Sequence, residues 1–144
     1  MYEKILLPTD GSDVSMAAAE RAVTLARLAA APLHAIYVCE PYPYVGIGEA
    51  SRAALLEYEA ATQQQAKDAF ARVAALAKVQ GVTLSTATDE GHSPAEHIVE
   101  AARSCGADLI VMGSHGRSGV ARVLLGSVAG KVLMLSHIPV MIVK

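Results

Sequence analysis

Gly113-Ser114-His115-Gly116, a gap of nine residues and then Gly126-Ser127 form the part of this sequence whose residue types and spacing best fit a chemical task. That task is holding an anion. Gly126 and Ser127 stand where a helix is due to begin, and the first turn of a helix leaves backbone N–H groups unpaired at the positive end of its dipole. Glycine lets a phosphate approach the main chain there, and the Ser127 hydroxyl adds a donor. Gly113 and Gly116 follow a strand, where glycine permits a sharp turn that presents further amides. Together the two ends suit a polyphosphate.

Other phosphate-binding patterns fit less well. Gly126-Ser127-Val128-Ala129-Gly130-Lys131-Val132 is one residue too short between its glycines for a Walker A loop and ends in Val132 where Ser or Thr is needed. The first strand lacks the G-x-G-x-x-G fingerprint, which argues against a dinucleotide dehydrogenase. A second polar corner is Pro8-Thr9-Asp10-Gly11-Ser12. Asp10 there is a turn or cap residue on common turn chemistry, but beside the glycine pattern a ligand role is the stronger reading. No carboxylate is placed by sequence to orient His115, which reads as a solvated loop histidine without a catalytic role. His92 and His97 lack the i, i+4 spacing of a helical metal pair, so the metal expected is Mg²⁺ carried with phosphates.

The elements that must position these residues follow from the hydrophobic pattern. Apolar runs bounded by Gly or Pro predict strands at Lys4–Pro8, Leu33–Val38, Val82–Ala87, Asp108–Met112 and Val140–Val143. Helical spacing joins Met16, Ala19, Ala22, Val23, Ala26 and Ala30 on one face, and Ala66, Ala69, Phe70, Val73, Leu76 and Ala77 on another. Ser93-Pro94-Ala95-Glu96 predicts a capping box ahead of Ala95, Ile98, Val99 and Ala102. A last helix from Ser127 is expected to carry Val128, Val132 and Leu135 inward before Pro139. Strict alternation of strand and helix predicts a doubly wound α/β fold, with ligands at the carboxyl ends of the strands where their order reverses.

Composition sets the outer limits. The 144 residues fit a single domain, 1–144, and with 53% hydrophobic but only 4% aromatic residues the core must be Ala, Val, Leu and Ile. A net charge of −2 without a basic stripe argues against nucleic acid. No apolar run approaches the roughly 18 residues of a membrane span, so a cytoplasmic protein is expected. Cys39 and Cys105 stand apart and read as buried, reduced thiols. Glu40 to Gly48, rich in Tyr and Pro, reads as a loop: a lid, a partner contact or a plain surface connection. Val140–Val143, apolar on both faces, is expected at the sheet edge, where a second copy can pair.

The chain resembles the universal stress protein family over its whole length, from Ile5-Leu6-Leu7-Pro8-Thr9-Asp10-Gly11-Ser12 to Pro139-Val140-Met141-Ile142-Val143. The G-x2-G-x9-G-[ST] pattern of its ATP-binding branch is filled by Gly113, Gly116, Gly126 and Ser127. The resemblance implies a five-stranded parallel sheet of order 3-2-1-4-5, ATP held across the first and fourth strands, and a homodimer. It places Pro8, Thr9 and Asp10 near the adenosine, Val38 with its backbone toward adenine, and Met112 beside base or ribose. Gly113, Gly116, Gly126, Ser127 and Val128 would hold ribose and phosphates, with His115 and Arg117 beside them. His137-Ile138 departs from the family's usual small residue or cysteine, at the sheet edge. The function implied is an ATP-dependent stress-response and signalling module acting on an unknown partner. A slow ATPase or phosphotransfer enzyme, with Asp10 or His115 as base, and a nucleotide-independent dimeric scaffold are the alternatives.

Overall fold

The computed structural model describes residues 1–43, 49–116 and 125–144. In chain order the elements are β1 (Ile5–Pro8), α1 (Asp13–Ala29), β2 (Leu33–Cys39), α2 (Glu49–Gln80), β3 (Leu84–Glu90), α3 (Pro94–Cys105), β4 (Leu109–Gly113), α4 (Ser127–Leu135) and β5 (Val140–Val143). All strand pairs are parallel, in the order β3-β2-β1-β4-β5. The winding reverses between β1 and β4.

The residues explain this layering. Ile5, Leu6 and Leu7 of β1 and Ile110 and Val111 of β4 are fully buried, as strands covered on both faces require. Ile5 and Leu7 face α1 and the second half of α2, with Ala18, Ala22, Val73 and Ala77. Leu6 and Ile110 face α3 and α4, with Ile98, Ala102 and Val132. Small alanines on the helices let them lie close to branched strand residues, which offsets the scarcity of aromatics.

Several boundaries differ from the sequence reading. β3 runs from Leu84 to Glu90, because its pairing with β2 continues through Thr88, Asp89 and Glu90, polar residues that suit an exposed edge. β2 likewise runs one residue past Val38. Ala30 belongs to no helix face; it ends α1 in the left-handed conformation at φ 53°. The capping box at α3 does not form: Ser93 makes no side-chain cap. Instead Lys131 Nζ donates to Ser93 Oγ (2.9 Å) and Glu96 Oε1 (3.3 Å), tying α3 to α4. Leu135 is exposed rather than inward, together with Leu133, Met134 and Met141 beside the β5 edge. Cys39 and Cys105 are free thiols but only partly buried. Burial, then Glu90 and Asp89, push the Cys39 thiol above its ordinary range, which keeps it protonated.

Candidate functional site

A cavity of about 760 Å³ opens at the carboxyl ends of β1, β2 and β4, within the size range of small-molecule sites. It exists because neighbouring strands stop at different heights. β1 pairs with β2 only as far as Pro8 opposite Ile36, and Thr9 N–H then donates to Ile36 C=O (2.9 Å) before the chain turns away. β2 continues to Cys39, whose C=O accepts from Gly91 N–H on the β3 side (3.0 Å). Ladder groups alternate in direction along a strand, so Val38 faces the β1 side, as Ile36 does. Its N–H and C=O lie beyond the end of β1, over the cavity.

The β1–α1 corner forms one wall. Thr9 is buried, its Oγ1 3.2 Å from Ser15 Oγ and 3.3 Å from the Gly11 N–H that donates to it. Asp10 Oδ1 accepts from Ser12 N–H (2.9 Å), a local turn that lets Ser12 cap α1 by accepting from Ser15 N–H (3.3 Å). Asp10 is thus a turn residue and a cavity-lining residue at once. A Cβ on Gly116 would lie 2.5 Å from Asp10 Oδ2, so glycine is what allows this approach.

The glycine run works differently from the sequence reading. Among the described residues, only Gly11, Gly81 and Gly106 of the glycines have positive φ, so Gly113, Gly116 and Gly126 serve close approach and not a left-handed turn. Gly113 is the last residue of β4, where a Cβ would meet Val14 Cγ1 at 2.9 Å. The Gly126 amide, expected to be open to an anion, donates to Ser114 C=O at 2.6 Å. That bond seats the start of α4 against the end of β4. Gly126 is the N-cap of α4 and has no side chain to accept from the first turn. Gly130 is the first residue whose N–H closes onto the helix, at Gly126 C=O (2.9 Å). The amides of Ser127, Val128 and Ala129 are therefore the orphan donors at the positive end of the dipole.

His115 is not a solvated loop histidine. Its Nδ1 lies 2.9 Å from Ser114 Oγ, while Nε2 is buried and has no hydrogen-bond partner among the described residues. Leaving such an atom unpaired costs about 1–3 kcal/mol, a deficit that a bound ligand can remove.

Of the positions singled out from the sequence, Pro8, Thr9, Asp10, Val38, Met112, Gly113, His115, Gly116, Gly126, Ser127 and Val128 all line this one cavity. Arg117 lies outside the described residues, as do residues 44–48 of the Tyr/Pro-rich loop. Sequence reasoning missed a whole wall, built by Tyr58, Ala61, Thr62 and Gln65 of α2. Tyr58 OH donates to Glu40 C=O (2.8 Å), and its ring lies 5.2 Å from that of Tyr42, fastening α2 to the end of β2. The signal was present, since these residues continue the helical stripe of Ala66, Ala69 and Val73 towards the N-terminus. His97 pairs with Asp89 (2.6 Å) rather than with His92, and among the described residues no three His, Cys, Asp or Glu side chains gather to hold a metal.

Strand order, crossover pattern and a switch-point cavity define a doubly wound α/β protein. The chain belongs to the universal stress protein family, whose model matches residues 1–144. A universal stress protein of Methanocaldococcus jannaschii is 43% identical over 145 residues, covering 100% of this chain and 83% of that protein. The solved universal stress protein UspA from Lactobacillus plantarum superposes with a TM-score of 0.87 at 31% identity, covering 99% of this chain and 98% of that one. A universal stress protein solved in complex with cAMP superposes with a TM-score of 0.67 at 29% identity, covering 99% and 97%.

Proposed function

We propose that this chain binds ATP in the switch-point cavity, adenine against Val38 and phosphates at the first turn of α4, and signals through the loaded state. The observation that carries this reading is the start of α4. Its orphan amides at Ser127, Val128 and Ala129 line the cavity together with His115, whose buried Nε2 lacks a partner among the described residues. A triphosphate supplies acceptors for both, and Asp10, a carboxylate on the cavity wall, would face Mg²⁺ carried on the phosphate oxygens. The cAMP complex of a relative supports an adenine nucleotide as the ligand class. Binding rather than turnover is favoured because His115 Nδ1 meets a serine hydroxyl in place of an orienting carboxylate, while Asp10 Oδ1 is engaged in the turn by the Ser12 N–H. The setting is cytoplasmic, where ATP is abundant; among the described residues no helix is long and apolar enough to cross a membrane.

Titration calorimetry with ATP, with and without Mg²⁺, tests the reading. One molecule of ATP per chain is expected to bind, and Gly116→Val, which would displace the Asp10 carboxylate, is expected to weaken binding at unchanged far-UV circular dichroism. A folded wild-type protein that takes up no ATP at millimolar nucleotide would overturn it.

A further inference from the structure

We propose that Gln65 reads the adenine base, its carboxamide oxygen accepting from the exocyclic amino group and its NH₂ donating to N7. This rests on the adenine-nucleotide reading above and adds a specificity residue to it. The argument begins with one face of α2. Where the helix packs on the sheet, that face is Ala66, Ala69, Val73 and Ala77, all buried. In the preceding two turns the same face becomes Tyr58, Thr62 and Gln65 around the small Ala61, and it lines the cavity. The change from aliphatic to hydrogen-bonding residues falls where the helix stops covering strands and starts covering the cavity.

Within that wall the hydrogen-bonding capacity is unevenly committed. Tyr58 donates its hydroxyl to Glu40 C=O, and Thr62 Oγ1 donates to Tyr58 C=O (2.9 Å). The adjacent Gln64 turns away to Asp68 (Nε2 to Oδ1, 2.9 Å). Gln65 alone of the three polar wall residues makes no side-chain hydrogen bond to the described residues, so both halves of its carboxamide are open. The wall is anchored to the end of β2 through Tyr58 and Glu40, two residues past Val38, which puts it at the base end of the proposed ligand.

The chemistry of the amide selects the base edge. Adenine shows a donor at N6 next to an acceptor at N7, and a carboxamide matches that pair; guanine shows acceptors at both O6 and N7. Val38 N–H and C=O serve the adjoining edge, N1 and N6. The N6 amino group carries two hydrogens, so both partners can be satisfied together.

Affinities for ATP, 7-deaza-ATP and GTP, measured on wild type and Gln65→Ala, form a cycle that tests this. Wild type is expected to bind 7-deaza-ATP about fivefold to tenfold more weakly than ATP, the worth of one such hydrogen bond. Gln65→Ala should lose a larger factor for ATP, because both hydrogen bonds go, should bind ATP and 7-deaza-ATP equally, and should lose less for GTP than for ATP. Unchanged ATP affinity in Gln65→Ala overturns the proposal, and so does an equal loss for ATP and 7-deaza-ATP, which would assign Gln65 to the sugar or to general packing. Absence of ATP binding by wild type is separate, because it refutes the nucleotide reading itself and this one with it. Gln65 is exposed, so the melting temperature of the variant should match wild type.

Discussion

Asp89 and His97 show how a side-chain pair can be built into the fold without belonging to the ligand site. Gly91 follows β3 so closely against the His97 imidazole that a Cβ there would overlap the ring. His97 Nδ1 in turn holds the Asp89 carboxylate, at 2.6 Å. The hydrogen bond from His97, then the Glu90 amide, keep the Asp89 carboxyl below its ordinary value of 3.8. Burial pushes Asp108 upward, but the amides of Glu3 and Lys4 outweigh it and its carboxyl also sits below 3.8. A carboxyl depressed in the folded state contributes stability that is present above its unfolded pKa and lost as pH falls through the folded one. The denaturation midpoint is therefore expected to drop as pH falls below 3.8. Asp89→Asn should lower the midpoint at neutral pH and flatten that acid limb. An acid limb identical to wild type in Asp89→Asn would show that the pair contributes nothing.

At the scale of elements, the beginnings of α1 and α4 differ in a way that matters. α1 is capped by its own Ser12, whereas α4 begins at a glycine with no cap side chain and is held by the short bond from Gly126 N–H to Ser114 C=O. A Cβ at Gly126 would lie 2.9 Å from that same carbonyl oxygen. Gly126→Ala is expected to push β4 and α4 apart, costing about 1–3 kcal/mol by overpacking and weakening ATP binding. Gly130 is the matched control: among the described residues its Cβ would meet only Leu125 Cδ2, at 3.6 Å, inside a helix. Gly130→Ala should stabilise by about 0.5–1 kcal/mol and leave binding intact. Thermal melts with calorimetry separate the two, and equal effects at both positions would contradict the close-approach account.

Of the sheet's two edge strands, β3 ends in polar residues, whereas β5 is apolar. Among the described residues β5 pairs with β4 on one side only; Met141 on it and Met134, Leu133 and Leu135 of α4 are 38%, 85%, 43% and 37% exposed. A second copy meeting this edge about a two-fold axis would continue the sheet and cover those side chains. Under that proposal, light scattering of wild type should give twice the 15.0 kDa chain mass, and Met141→Glu should shift it to the monomer. A monomeric wild type at high micromolar concentration would dispose of the dimer. Because the edge lies a full strand away from β1, Met141→Glu is also expected to keep ATP affinity, which separates assembly from binding.

Alternation of buried apolar runs with helical stripes made the layers, the five strands and both ends of the cavity legible from the residues alone. Strand and helix periodicity is a local property, and the order of the elements follows from it. Relations between segments were less legible. The Thr88-Asp89-Glu90 end of β3 is polar, so only its pairing with β2 makes it strand. Ser93 and Glu96 have the spacing of a capping box, yet Lys131, 35 residues beyond Glu96, takes them both. The glycine run was recognisable as a ligand feature, but which amides remain open depended on Gly126 meeting Ser114, a contact made only when β4 and α4 are packed. The α2 wall escaped notice for the same reason: Tyr58, Thr62 and Gln65 look like a solvated helix face until the sheet beneath them ends. What local pattern determined was the identity and order of the elements. What tertiary structure decided was which polar groups the ends of those elements leave unpaired, because a hydrogen bond across the fold is settled by distances that no local spacing contains.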